Sequence, residues 1–346
     1  MPALTAAFVK DAARRAGFHH AGVARAGPLD PRALDRMISA GAHADLEWLK
    51  SQRGERLDPA RLLPGVRSVL ALALAHGPNG LPAPPPAGHG EVARYARGRD
   101  YHAVMKKKLR GLCEALERED PGVKTFASSD MAPVMEKVWA ERAGLGWIGK
   151  NACLITEQHG SWVVLGTVLL DRDLEPDAPH PERCGTCEAC LPACPTGAIP
   201  EPGFVDARRC ISYWTIERRG EIPPEAAAAH GRWVFGCDAC QLVCPWNRRP
   251  DPVGDPDLAA RPGQAALPLD ALLALDEAGF RKRYEGTPLA RARYDGLLRN
   301  ALLLAGREGD PRRLAAVSAH LASPHDGVRA AARWAAERLA SGGDPG

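Results

Sequence analysis

Eight cysteines crowd between positions 184 and 244 of a 346-residue chain, and that density limits what the surrounding residues can fold around. A disulfide scaffold would spread its cysteines through a short secreted chain behind a signal peptide. Here the amino terminus carries Lys10 and Asp11 where such a peptide needs an apolar stretch, so a soluble, cytoplasmic protein is expected. In that reducing setting a cluster of thiols reads as metal binding.

Within CGTCEACLPACP, Cys184, Cys187, Cys190 and Cys194 follow the C-x2-C-x2-C-x3-C-P spacing of two-cluster bacterial ferredoxins. Three close thiolates wrap one 4Fe–4S cube, and the fourth reaches its neighbour. Cys210, Cys237, Cys240 and Cys244 repeat the ending, with Pro245 last and a stretched first interval. Crossing the ligands assigns Cys184, Cys187, Cys190 and Cys244 to one cluster, and Cys194, Cys210, Cys237 and Cys240 to the other. Zinc also accepts four thiolates, so two structural zinc sites are the competing reading. The spacing closed by proline favours iron and sulfide. Cys113 and Cys153 have apolar neighbours and are expected in the core.

The remainder is ordinary for a soluble chain: 45% hydrophobic, 25% charged, with no apolar run near the roughly 18 residues of a membrane span. Periodicity predicts helices over 4–16, 31–39, 101–118 and 131–143, and strands over 17–26, 68–75, 152–156 and 162–170. Ser128, Ser129 and Asp130 suit the start of the helix at 131. Prolines mark 77–90 as a surface loop and 251–268 as a linker. Helical stretches at 269–284, 288–304, 311–321 and 326–339 look like stacked repeat units, with a plain helical bundle as the alternative. The expected class is α+β: an amino-terminal α/β domain over 1–175, a ferredoxin-like two-cluster domain over 176–250, and a helical-repeat module over 269–340.

Two clusters make an electron wire, and 1–175 is long enough to hold its acceptor. No G-x-G-x-x-G opens a helix and no Walker motif occurs, so neither a nicotinamide nor an ATP site is signalled. GLGWIGKN over 144–151 is either a tight turn or a close backbone approach to a flat or anionic cofactor. Asp130, beside it, is either a helix cap or a proton donor facing that cofactor.

Taken together, RLDPARLLP (56–64), the run from Asp130 to Asn151, the cysteine stretch 184–197, RCISY (209–213), GCDACQLVCPWN (236–247) and GLLRNA (296–301) resemble the epoxyqueuosine reductase family. The resemblance implies a base-off cobalamin held by the amino-terminal domain against the first cluster, with no protein side chain as lower ligand. It implies Asp130 as proton donor, with Arg56, Leu154, Leu165 and Ser212 near the corrin and Gly149, Lys150 and Asn151 beside it. The final helices would help hold the anticodon stem-loop of a tRNA carrying epoxyqueuosine.

Charge bears on that last point independently. The net charge is +3, yet 281–340 carries twelve Lys/Arg against six Asp/Glu, a basic face suited to phosphate or merely solvated. Arg218 and Arg219 are further phosphate-contact candidates. The expected activity is two-electron reduction of epoxyqueuosine to queuosine by a monomer with no membrane contact, fed by an external low-potential donor. Asp130 would then need a pKa raised by burial. The alternatives are a corrinoid iron–sulfur reductase for a small substrate, a non-catalytic electron carrier, and a zinc-stabilised RNA-binding module.

Overall fold

The computed structural model describes residues 4–77, 85–248 and 254–341. Among them the strands are β1 (His20–Arg25), β2 (Ser68–Ala75), β3 (His89–Val92), β4 (Thr125–Ser128), β5 (Trp147–Ile148), β6 (Leu154–Ile155), β7 (Val163–Leu170), β8 (Trp233–Phe235) and β9 (Ala266–Pro268). No helix of the described residues is long and apolar enough to cross a membrane.

β2 organises the larger sheet. Its sequence SVLALALA is buried at every position, as a central strand covered on both faces must be. It lies between β1 and β7, and β4 closes the far edge, giving the order β1-β2-β7-β4. Leu70, Leu72 and Leu74 face a layer built by the helices Ala6–Arg15 and Tyr101–Glu119. Val69, Ala71 and Ala73 face the opposite layer with Trp139, Ala140 and Leu154, as the period of two requires. Small residues on this side let the helix Glu136–Arg142 come close: a Cβ on Gly22 would lie 2.0 Å from the Ala143 carbonyl oxygen. Every ladder in this sheet is antiparallel, so the amino-terminal segment is α+β and not the α/β arrangement expected.

The helix expected from 131 begins only at Glu136. Ser128 ends β4 instead, and Asp130 adopts φ +58°, a left-handed turn and not a helix cap. Pro133 supplies the reason, since it drives the preceding residue out of helical conformation. The strand expected over 152–156 contracts to the two residues of β6, paired with β5.

The expected loop at 77–90 lies partly outside the described residues; its end enters β3, which pairs parallel with β8 and antiparallel with β9. The expected linker is correspondingly packed, with Leu258 and Leu267 buried, although 249–253 lie outside the described residues. The carboxyl-terminal helices are Leu269–Leu273, Glu277–Tyr284, Arg293–Glu308, Leu314–Ser318 and Asp326–Ala340. Their core is continuous with Val92, Ile211, Trp233 and Phe235.

Arg299 and Asn300 tie this core to the cysteine segment. The buried guanidinium donates to the carbonyls of Trp214 at 2.6 Å, Gly220 at 2.8 Å and Arg218 at 2.9 Å. Asn300 Nδ2 donates to the carbonyls of Thr215 and Val234, each at 2.9 Å. These bonds hold the helix Ile211–Ile216, which starts at Cys210, against β8, which leads to Cys237.

Candidate active site and cluster-binding segment

Cys184, Cys187, Cys190 and Cys244 line a single cavity together with Lys150, Asn151, Ile155 and Trp246. This is one of the two crossed ligand sets read from the spacing. Trp147 donates its indole N–H to Cys184 Sγ at 3.4 Å and packs edge-on against Trp246. Among the described residues no three His, Cys, Asp or Glu side chains converge where one metal ion would sit. The four thiols surround a space, the arrangement a cube needs.

The glycine turn belongs to this cavity. Gly149 donates its N–H to the Cys153 carbonyl at 2.8 Å, and a Cβ there would lie 2.4 Å from Ile155 Cδ1. Lys150 reaches Glu188 at 3.3 Å, while Asn151 is buried with Nδ2 unpaired. Lys150 and Asn151 line the cysteine cavity, and none of Gly149, Lys150 and Asn151 lines the larger one. Ser212 sits next to Cys210 at the start of its helix and is likewise absent from the larger cavity's lining.

That larger cavity, of about 470 Å³, opens between the main sheet and the cysteine segment and has the size of a small-molecule site. Leu154, Val163, Val164 and Leu165 supply its apolar lining; Tyr95, Tyr101, Asp130, Glu136 and Lys137 supply polar groups. Asp238 and Gln241 close it from the other side, bracketing the Cys240 end of the second ligand set. None of the eight ligand cysteines lines it, and Cys153 in its wall feels one thiol of each set, Cys210 and Cys244. Cys153 also lines it, and burial pushes its thiol up to about 11, in keeping with a core thiol.

Asp130 sits at the centre of a hydrogen-bonded group. Tyr101 Oη donates to its Oδ2 at 2.5 Å, and His102 Nε2 lies 3.5 Å from the same oxygen. Its own N–H donates to Glu136 Oε1 at 2.9 Å. The carboxyl is not raised, contrary to expectation. Desolvation pushes it up, but hydrogen bonds from His102 and Tyr101 outweigh that and hold Asp130 below the usual carboxylate range. Burial instead lifts Glu136 to about 7. Arg56, near both acids, has Nε buried without a partner; Ser128 Oγ and His76 Nδ1 are also unpartnered. Buried polar atoms are usually paired; of these three residues His76 lines the cavity, and Arg56 and Ser128 do not.

The phosphate candidates fare differently from each other. Arg219 spends its donors on the carbonyls of Ile216, Ala292 and Arg291, a structural use that leaves little for phosphate. Arg218 is more open, bonded to the Glu221 carbonyl and paired with Asp45 at 3.3 Å. Sequence reasoning missed Tyr101, His102 and Glu136. Asp100 before the helix Tyr101–Glu119 is a legible cap, but nothing in the spacing says that the helix begins at Asp130.

Fold and site thus define an iron–sulfur oxidoreductase in which a cluster segment backs onto an acid-bearing pocket. Residues 183–247 match the family described as a 4Fe-4S double cluster binding domain, which favours iron and sulfide over zinc. Residues 56–130 match the family described as Epoxyqueuosine reductase QueG, DUF1730. The chain is 47% identical to the epoxyqueuosine reductase of Gloeobacter violaceus over 315 residues, 88% of this chain and 97% of the relative. With the Pseudomonas aeruginosa enzyme it shares 40% over 346 residues, 97% and 95% of the two chains. The chain belongs to the epoxyqueuosine reductase family. Its fold matches a crystal structure of an epoxyqueuosine reductase with an epoxyqueuosine-modified tRNA-Tyr stem loop at TM-score 0.88 and 30% identity, covering 96% of this chain and 89% of the other. It also matches the Bacillus subtilis enzyme with an aspartate-bearing catalytic loop swung out of the active site, at TM-score 0.87 and 31% identity, covering 98% and 90%.

Proposed function

We propose that this enzyme reduces epoxyqueuosine to queuosine in the anticodon loop of tRNA, with Asp130 as proton donor in the cavity between sheet and cysteine segment. The carrying observation is that one cavity holds both Asp130 and the residues flanking Cys240. The solved relative with a modified stem loop supports the substrate, and the Bacillus subtilis structure supports a catalytic aspartate on a loop.

The residues present suit a base-off cobalamin: apolar Leu154 and Leu165 in the lining for the face of a macrocycle, the unpartnered Nδ1 of His76 in the lining for its amide rim, and Arg56, outside the lining, near Asp130 and Glu136. When bound, that group supplies a reduced metal centre to the epoxide-bearing ring. The eight cysteines from Cys184 to Cys244 would hold two 4Fe–4S clusters, which would supply single electrons from an external low-potential donor. Cys187 is exposed, which fits the set Cys184, Cys187, Cys190 and Cys244 as the outer one. On that basis the set Cys194, Cys210, Cys237 and Cys240 is read as the inner one, since Asp238 and Gln241, next to Cys237 and Cys240, line the cavity. Asp130 binds the opening epoxide oxygen and delivers its proton, while Tyr101 and Glu136 orient the carboxyl and its backbone. On this reading 1–175 binds cobalamin and carries catalysis, 176–250 carries electrons, and 269–340 contacts the stem-loop.

The test is anaerobic: cluster-loaded protein, cobalamin, a low-potential reductant and an epoxyqueuosine-bearing anticodon stem-loop, then mass analysis of the nucleoside. Cobalamin-dependent loss of one oxygen is the expected result. An unchanged nucleoside with clusters and cobalamin bound would overturn the substrate. Asp130→Asn is expected to lower turnover about 10²–10⁴-fold.

A further inference from the structure

Removing an epoxide oxygen as water breaks two C–O bonds, forms one C=C bond, and consumes two electrons and two protons. The external low-potential donor supplies the electrons. Asp130, ionised by its surroundings, must be given each proton before it can pass one on.

We propose that His102, gripped between Asp100 and Asp130, positions Asp130 and recharges it with the protons the reduction consumes. The proposal rests on the reading of Asp130 as the donor to the substrate oxygen. In each cycle the proton leaves His102 Nε2 for Asp130 Oδ2 and goes on to the departing oxygen. Neutral His102 then takes another proton from water, which its 32% exposed side chain can reach.

The geometry comes from a helix start. Asp100 caps the helix Tyr101–Glu119, its Oδ1 accepting the backbone N–H of His102 at 3.0 Å. The same oxygen lies 2.8 Å from His102 Nδ1, which directs Nε2 toward Asp130, 3.5 Å away. An acid behind an imidazole fixes its orientation and stabilises its charged form. The Tyr101 ring stacks on the imidazole with centroids 4.0 Å apart, while its hydroxyl holds Asp130 Oδ2. Burial opposes the charge on His102, but the bonds to Asp100 and Asp130 outweigh it and lift the imidazole to about 9. His102 therefore carries its proton at neutral pH. The charged and titratable groups bearing on this pair are Asp100, Tyr95, Tyr101, Arg291, Arg56 and Glu136.

The experiment measures kcat and KM for the loaded enzyme on the epoxyqueuosine stem-loop from pH 6 to 10. The wild-type rate is expected to fall as pH rises through about 9. His102→Gln should lose about 10²-fold in kcat with KM within about twofold, and should lack that alkaline fall. Asp100→Asn keeps a capping side chain, so it should fold normally, and its alkaline fall should move at least about one pH unit lower. A His102→Gln enzyme with wild-type kcat and an intact fall, or an Asp100→Asn enzyme still falling at the wild-type pH, overturns the proposal. If Asp130→Asn is impaired while His102→Gln is normal, only this proposal fails. Full turnover by Asp130→Asn removes the underlying reading, and this proposal with it.

Discussion

A left-handed backbone at a non-glycine residue costs about 1–3 kcal/mol, and Asp130 accepts that conformation with φ +58°. The turn is held by Ser129 Oγ donating to the Leu165 carbonyl at 2.6 Å and by the Asp130 N–H on Glu136. The turn leaves Asp130 in the cavity lining with its side chain open to solvent. Histidines elsewhere carry a different cost. His76 and His230 are buried and held neutral, each lowered by burial to about 3. An unfolded histidine takes up its proton near pH 6.5, so stability must fall with pH between about 6.5 and 3, by about 1.4 kcal/mol per pH unit for each. Glu136 works in the other direction: lifted to about 7, it favours the folded state at low pH and loses that advantage as pH rises from about 4.5 to 7. His230→Leu, at a site where neither ring nitrogen has a partner, is expected to flatten the acid limb by one histidine's share. Urea unfolding between pH 5 and 7 measures this, and an unchanged slope contradicts it.

The Arg299–Asn300 pair couples the carboxyl-terminal helices to the cysteine segment. Arg299→Leu would strip donors from three buried carbonyls and is expected to destabilise by about 3–5 kcal/mol. Because the helix Ile211–Ile216 follows Cys210, iron bound by the second ligand set should be lost first. Iron counting alongside thermal unfolding checks the order, and equal loss from both sets would contradict it. Elements with local causes were legible in the sequence. β2 announces itself because burial on both faces demands an unbroken apolar run, and the cysteine sets announce themselves because three ligands of a cube must be near neighbours. β3 was not legible: His89 to Val92 are strand only because β8 and β9 supply their bonds from far along the chain. Ser128 to Asp130 misled for a sharper reason, since the residue types that cap helices also tolerate left-handed turns. Of the candidate site, Asp130, Leu154 and Leu165 were legible to the extent that all three line one cavity. Tyr101 and His102 were not, because their contact with Asp130 depends on a helix start meeting a strand end.

Charge organises the whole molecule less simply than its count suggests. Arg313 is paired with Asp270 and Glu308, Arg291 with Glu217, and Arg299 is buried, so much of the basic excess over 281–340 is spent internally. Lys282, Arg293 and Arg333 remain exposed, and Arg293 projects from a backbone at φ +62°. Replacing Lys282 or Arg293 with Gln is expected to lower the slope of log affinity against log salt by about 1 each for the stem-loop. Fluorescence anisotropy from about 50 to 200 mM salt would register it, and an unaltered slope would assign the phosphate contacts elsewhere. The small sheet β8-β3-β9 also sets a timetable. β3 leaves the ribosome about 140 residues before β8, which at 5–20 residues per second is roughly 7–30 s. Throughout that interval the nascent chain carries an unclaimed strand edge while Cys184 to Cys210 emerge behind it, and both ligand sets are completed, at Cys240 and Cys244, within about ten residues of the strand that claims that edge.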